Sequence, residues 1–313
     1  MHRIILAMKK NLIPILLIAL MMNASCEKPK DYGRLQMQTS YTVNGKPLVT
    51  NDLCYTNEAG NQYLVTEIQW FLSNITLQNE QGEVYTLTHR EAENLANTPL
   101  ERVFYIDTNL PGTGTLAMAP IPCGRYVALR FTFGLDEQDN RTGLFTDPPE
   151  SNMFWPEPLG GGYHYMKLNG KYLDGNGQLA PLNIHLGIGQ DSTLTTFYQN
   201  AFTVELPIDF EVLENEENIL PLNMNIDNWF RSPHSYDFQT FGSAIMQKQE
   251  AQQLLRENGH DVFSIVEEST PLEKMAGTLK GFFHKAAPKP HFYTKKNMKA
   301  LLSEITSRKG ERP

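Results

Sequence analysis

The fifteen residues YLVTEIQWFLSNITL, from Tyr63 to Leu77, decide the fold class of this sequence. They are rich in β-branched and aromatic residues, contain neither glycine nor proline, and are followed by Gln81-Gly82. This composition predicts strands, which we expect from Tyr63 to Trp70 and from Phe71 to Leu77.

Short strands are predicted on both sides of that segment. Alternate residues from Leu35 to Val43 are suited to one face of a strand, and Asn44-Gly45 supplies a turn. Further strands are predicted at 103–106, 125–133, 163–168, 182–186 and 202–210. Because no helical segments alternate with these strands, the pattern argues against a parallel sheet and predicts an all-β fold, an antiparallel β-sandwich.

Two helices are predicted in this body, one weak from Glu91 to Asn97 and the main one from Ser243 to Asn258. Gly259 is placed where a helix C-cap is expected. The apolar stripe of the main helix is predicted to contain Met246, Leu254 and Leu255, with Ile245 and Gln252 turned away.

The charge of the chain is unevenly distributed. The 313 residues carry a net charge of −8, yet the segment from Pro271 to the end has ten Lys/Arg against three Asp/Glu. Residues 26–270 then hold 14 basic and 32 acidic groups, which suits an exported protein that attracts cations and argues against a nucleic-acid binder.

The N-terminus has the features of a secretory signal peptide over residues 1–25. Lys9 and Lys10 precede the apolar run LIPILLIALMM, which is too short to span a membrane. Small residues before Cys26 resemble a bacterial lipobox, which predicts that Cys26 is acylated and that residues 26–34 form a tether. The lipid anchor places the chain in the cell envelope, in the periplasm or at the outer-membrane surface; a soluble secreted protein is the alternative.

The remaining chain is predicted to divide into a sandwich domain at 35–267 and a basic, flexible tail at 268–313, with a terminal helix from Lys296 to Arg308. Apart from Cys26, the chain has two cysteines, Cys54 and Cys123. In an oxidising compartment they form either a disulfide or two buried free thiols, and the sequence leaves both open.

No catalytic motif is present: the GxSxG and HExxH patterns are absent, so we expect no enzyme. The segment from Met153 to Leu168 is the most informative one for a ligand site. If Asp174-Gly175 are the two central residues of a hairpin turn, His164 pairs with His185. Two imidazoles with a thioether from Met166 or Met153 suit copper, Cu(I) in particular, although two ordinary hydrogen-bonded histidines are the simpler interpretation of the spacing.

Several short segments occur in the order found in the MbnP-like copper-binding domain family, and the sequence resembles that family from about Leu35 to Val266. The segments are YTVNGKP (41–47), YTNEAGN (55–61), WFLSNITL (70–77), FGLD (133–136), MFW (153–155), GGGYHYMKLNG (160–170), HLG (185–187), NWF (228–230) and ENGHDVF (257–263).

The resemblance implies a copper-binding protein of the periplasm or cell surface. It implies that His185 is a copper ligand and that His164 is a second one, and it makes Trp155 the candidate for oxidation to kynurenine by a di-haem peroxidase of the MauG type. The sequence lacks the second tryptophan that often follows the first in the family. The competing hypotheses are a carbohydrate-binding or adhesive module, in which Trp155, Tyr163 and Tyr165 form a platform for sugars, and a structural interaction module that docks through its acidic surface.

Overall fold

The structure, a computed structural model, describes residues 31–90, 99–193 and 195–266. The predicted signal peptide, Cys26, most of the tether, the helix at Glu91–Asn97 and the tail at 268–313 lie outside these ranges. Within them, no helix is long and apolar enough to cross a membrane.

The described chain is built mainly of strands. They are β1 (Tyr32–Val43), β2 (Lys46–Pro47), β3 (Tyr55–Thr56), β4 (Gln62–Asn79), β5 (Val84–Thr86), β6 (Val103–Asp107), β7 (Thr115–Pro122), β8 (Gly124–Phe133), β9 (Met166–Leu173), β10 (Leu179–Leu186), β11 (Gly189–Gln190), β12 (Phe197–Tyr198), β13 (Phe202–Val212), β14 (Glu217–Asn225) and β15 (Phe263–Ile265). One α-helix, α1, spans Gln249–Asn258. Short 3-10 helices span Pro99–Arg102, Pro111–Gly114, Glu150–Met153, Glu157–Leu159, Ile226–Phe230 and Gly259–Asp261.

Two sheets share one hydrophobic core, so the predicted all-β sandwich is confirmed. The five-stranded sheet has the order β15-β14-β1-β2, with β7 also paired to β1. The eight-stranded sheet has the order β10-β9-β4-β8-β13, and β3, β5 and β6 also pair with β4. The arrangement is not purely antiparallel, because strands β1 and β14 are parallel and an isolated bridge between Asn183 and Ala244 is parallel as well.

Strand β4 is the centre of the larger sheet. The two predicted strands at 63–70 and 71–77 form one strand of 18 residues, whose register with β9 shifts between Val65 and Glu67 and with β8 between Ser73 and Thr76. Asn74 in the second irregularity has φ 51°, a left-handed conformation that asparagine tolerates. These bulges let a single long strand follow the twist of the sheet.

The main helix is shorter than predicted. The chain from Ser243 to Lys248 is not helical, because the backbone at Asn183 and Ser243 is hydrogen-bonded alongside β10. Ile245 and Gln252 are buried, opposite to the prediction, since the Gln252 amide bonds inward to the backbone. Gly259 is the C-cap of α1, as predicted, although its φ of −61° is not left-handed. A Cβ at Gly259 would lie 2.2 Å from the Phe202 ring.

Cys54 and Cys123 are free thiols, Cys54 exposed and Cys123 partly buried, so the disulfide alternative was wrong. Tyr55, next to Cys54, pairs with Tyr63 near the start of β4. Tyr126, three residues after Cys123, pairs with Asn79 at the other end of β4. Sixteen residues of strand separate the two pairings, about 50 Å at roughly 3.3 Å per residue. A disulfide needs Cα atoms within about 7 Å.

Candidate metal centre

The loop before β9 turns sharply through Gly160, Gly161 and Gly162, which all have positive φ, from 70° to 114°. Glycine adopts this conformation without strain, and a Cβ on Gly162 would lie 2.4 Å from the Asn140 side chain. The turn closes with a hydrogen bond of 2.7 Å from the Trp155 backbone N–H to the Gly162 carbonyl. The segment after the turn therefore runs back beside Met153 and Trp155.

This turn places His164 between Trp155 and His185. The ring centroids of His164 and Trp155 are 4.6 Å apart, and those of His164 and His185 are 5.2 Å apart. His164 precedes β9, whereas His185 lies within β10. The rings are close enough to share one ion, because two metal–nitrogen bonds of about 2 Å plus two ring radii span roughly 6 Å.

The hydrogen bonds of His164 decide which ring nitrogen is free. Its Nδ1 lies 2.9 Å from the Met153 carbonyl oxygen, which can only accept, so Nδ1 carries the proton. In the neutral ring Nε2 then carries the lone pair. Nε2 is buried and has no hydrogen-bond partner among the described residues, which is the state of a nitrogen available to a metal.

The free nitrogen of His185 follows from a chain of hydrogen bonds. Asn169 Nδ2 donates to Glu67 Oε2 at 3.2 Å, so the amide oxygen of Asn169 faces His185. His185 Nε2 donates to that oxygen at 2.8 Å, which leaves the lone pair on Nδ1. A hydrogen bond of this kind fixes the tautomer and orientation of a metal-binding histidine.

Both imidazoles are neutral at pH 7. Burial, together with the neighbouring Lys167 ammonium, lowers the pKa of His164 to about 3. The same two causes lower the pKa of His185 to about 4. Neutral imidazole is the form that binds metals, so no proton has to be displaced at neutral pH.

The two predicted methionine ligands are placed differently. Met166 pairs with Leu186 and lies fully buried on the core face of β9, whereas His185 pairs with Lys167 on the opposite face. Met166 was therefore wrong as a third ligand. The contact of Met153 with His164 is made by its backbone carbonyl.

The predicted hairpin register was also wrong. The turn contains three residues between Asp174 and Gln178, whose backbones are hydrogen-bonded, and Gly177 is left-handed. His185 consequently pairs with Lys167 and not with His164. The two histidines meet because the chain leaves strand geometry before β9, where Tyr163 bridges to Phe154.

The indole of Trp155 is enclosed by backbone. Its Nε1 donates to the Leu159 carbonyl at 3.0 Å, and the side chain is 1% exposed. Gly187, in the HLG segment, lies against the ring, since a Cβ there would be 2.5 Å from it. Tyr163 and Tyr165 are buried as well, so the three rings do not form the surface platform that a sugar-binding module needs.

Sequence reasoning missed Lys167, Asn169 and Glu67, which share the outer face of the sheet with His185. The alternation of β9 indicates that Lys167 and Asn169 lie on one face. Only the correct hairpin register brings that face to His185.

Comparison with known proteins agrees with this fold. The sequence profile of the MbnP family matches residues 32–247. A solved structure, MbnP from Methylosinus trichosporium, is similar with a TM-score of 0.50 and 13% sequence identity, over 76% of this chain and 99% of that one. None of the curated proteins is significantly similar in sequence. Because the family profile covers more than half of its residues, including both histidines and Trp155, the chain belongs to the MbnP family.

Proposed function

We propose that this chain binds one monovalent copper ion between His164 Nε2 and His185 Nδ1. The observation that carries the proposal is the buried Nε2 of His164, which has no partner among the described residues although another imidazole lies 5.2 Å away, centroid to centroid. Membership of the MbnP family supports an association with copper.

The donor set suits monovalent copper better than harder ions. Imidazole is a good ligand for copper, whereas magnesium and calcium prefer carboxylate, carbonyl and water oxygens. Within the described ranges, no group of three or more His, Cys, Asp or Glu residues is arranged to hold a metal. The two neutral imidazoles are the donors that the proposal uses, and it assigns the chain a binding role without catalytic turnover.

The proposed place of action is the cell envelope. The signal-like residues 1–25 and the lipobox before Cys26 support export and a lipid anchor, in the periplasm or at the outer-membrane surface. A Cys26→Ala variant should leave the membrane fraction, because no other acylation site is proposed. A variant that still sediments with membranes would refute the anchor.

Trp155 is the residue that a di-haem MauG-type peroxidase partner would oxidise to kynurenine. Its ring lies 4.6 Å from that of His164, centroid to centroid, so a modified side chain would stay beside the proposed copper site. Intact-mass analysis of protein from its native envelope tests this part. A mass shift that is absent from Trp155→Phe supports it, and an unmodified tryptophan refutes it.

Copper content tests the central proposal. Purified protein should hold about one copper per chain, His185→Ala should lose it, and His164→Ala should bind more weakly. His260→Ala is the matched control, because His260 is an exposed histidine that contacts the Glu257 carbonyl in another part of the fold. A His164→Ala/His185→Ala double variant that keeps stoichiometric copper would refute the site.

A further inference from the structure

One cationic side chain lies directly beside the two imidazoles. Lys167 is the cross-strand partner of His185 on the outer face of β9 and β10, and side chains paired in this way have Cβ atoms about 5 Å apart. Its Nζ donates to the Asn152 carbonyl at 2.6 Å. Asn152 adjoins Met153, whose carbonyl binds His164, so the ammonium is held on the same loop segment.

Lys167 cannot be a ligand while it is protonated, because an ammonium has three donors and no lone pair. It acts on a bound ion through charge alone. The side chain is half-buried, where charges interact more strongly than in bulk water. A cation fixed beside a metal site repels a divalent ion more than a monovalent one.

We propose that the Lys167 ammonium makes this site select monovalent over divalent copper. The inference rests on the proposed function, since it concerns the same two imidazoles. By Coulomb's law the ammonium repels a divalent ion twice as strongly as a monovalent one, and we expect the difference to change the preference between the two ions by at least about tenfold.

Polar side chains of β4 and β9 form a row on the outer face of the larger sheet, in which Glu67 pairs with Asn169 and Gln69 pairs with Lys167. The carboxylate of this row, Glu67, offsets the charge of Lys167 only in part. Glu67 is directed at two amides, accepting from Asn169 at 3.2 Å and from Asn109 at 2.8 Å. It therefore lies one side chain further from His185 than Lys167 does. The next carboxylate along the row, Asp107, is separated from Lys167 by Gln69.

The test compares Lys167→Met, which removes the charge but keeps an unbranched chain, with Lys167→Arg, which keeps the charge. Affinities for Cu(I) and Cu(II) are measured by competition with chromogenic chelators specific for each ion. Lys167→Met should raise the Cu(II) affinity relative to the Cu(I) affinity by about tenfold or more, which lowers the reduction potential of bound copper by about 60 mV per tenfold. Lys167→Arg should leave the ratio within about threefold.

The outcomes separate the two proposals. If loss of the Asn152 hydrogen bond is all that matters, both affinities fall together, the ratio is unchanged and the charge inference is wrong. If the parent protein binds copper through the histidines but Lys167→Met has the parent ratio, the charge inference alone is overturned. If the parent protein binds neither ion, the proposed function is overturned as well.

Discussion

Replacing Gly187 by alanine is the most direct test of how Trp155 is positioned. The new Cβ would lie 2.5, 2.7 and 2.8 Å from three atoms of the indole, whereas carbon atoms pack best at about 3.5–4.0 Å. Either the backbone at residue 187 or the Trp155 indole must therefore move by about 1 Å.

Neither group is free to move. The Gly187 N–H donates to Gln252 Oε1 at 3.1 Å, and its carbonyl accepts from Asn200 Nδ2 at 3.0 Å. The indole is buried and bonded to the Leu159 carbonyl. Overpacking of this kind costs about 1–3 kcal/mol, and the restraints on both sides favour the upper half, so we expect the free energy of unfolding to fall by about 2–3 kcal/mol.

Urea unfolding of the copper-free protein, followed by far-UV circular dichroism, measures this loss. Gly112→Ala is the matched control, because a Cβ on Gly112 meets no atom within 4 Å and should change stability by less than about 0.5 kcal/mol. Combining Gly187→Ala with Trp155→Leu should cost at least about 1 kcal/mol less than the two single changes added together. A stable Gly187→Ala variant, or strictly additive losses, would refute the reasoning.

Three further predictions concern protons, thiols and the tail. His164 has a pKa of about 3 when folded and 6.5 when unperturbed, so in copper-free protein only the unfolded chain binds its proton in that window. His164 should lower the free energy of unfolding by up to about 1.4 kcal/mol per pH unit as the pH falls through this window, in addition to a similar contribution from His185, so the slope should be smaller in His164→Leu; equal slopes in urea titrations would contradict this. A thiol reagent should modify the exposed Cys54 rapidly and Cys123 slowly without prior reduction, and no reaction in native protein would argue against free thiols. A chain ending at Val266 should melt within about 2 °C of the full chain, and a larger drop would show that the tail stabilises the body.

The strands of the fold could be predicted because their signals are local. Asn44-Gly45 predicts a tight turn, and φ values of 51° and 72° at these residues match a type I′ turn between β1 and β2. The parallel pairing of β1 with β14 has no such signal. It joins residues more than 180 positions apart, and only packing of the whole sandwich decides it.

The candidate site was only partly predictable for the same reason. Asp174-Gly175 has the composition of a two-residue turn, but the Asp174 carboxylate accepts from the Asn176 and Gln178 N–H groups and stabilises a longer one. That difference moves Lys167, in place of His164, opposite His185. The closeness of the two histidines depends on the irregular chain before β9, which strand periodicity does not describe.

The burial of Gln252 illustrates another limit. A glutamine in a helix is expected to face solvent, yet its amide bonds to the Gly187 N–H and to the Ile245 and Met246 carbonyls. Helical periodicity predicts which apolar side chains are buried. It does not predict that a polar side chain is buried because buried backbone groups need it as a hydrogen-bond partner.

The place of β1 in the sheet has a consequence for the order in which the chain acquires its structure during synthesis. β1 is the first described strand to be made, but its long partner β14 is not made until residues 217–225. Its other sizeable partner, β7, follows only at residues 115–122. Until residues 217–225 have been made, the N–H and C=O groups of β1 on the β14 side have no strand to pair with. Contacts between residues so far apart in sequence make folding slow. The β14 edge of β1 should therefore stay unpaired and open to chaperones until residues 217–225 have been made, and the five-stranded sheet should be completed late.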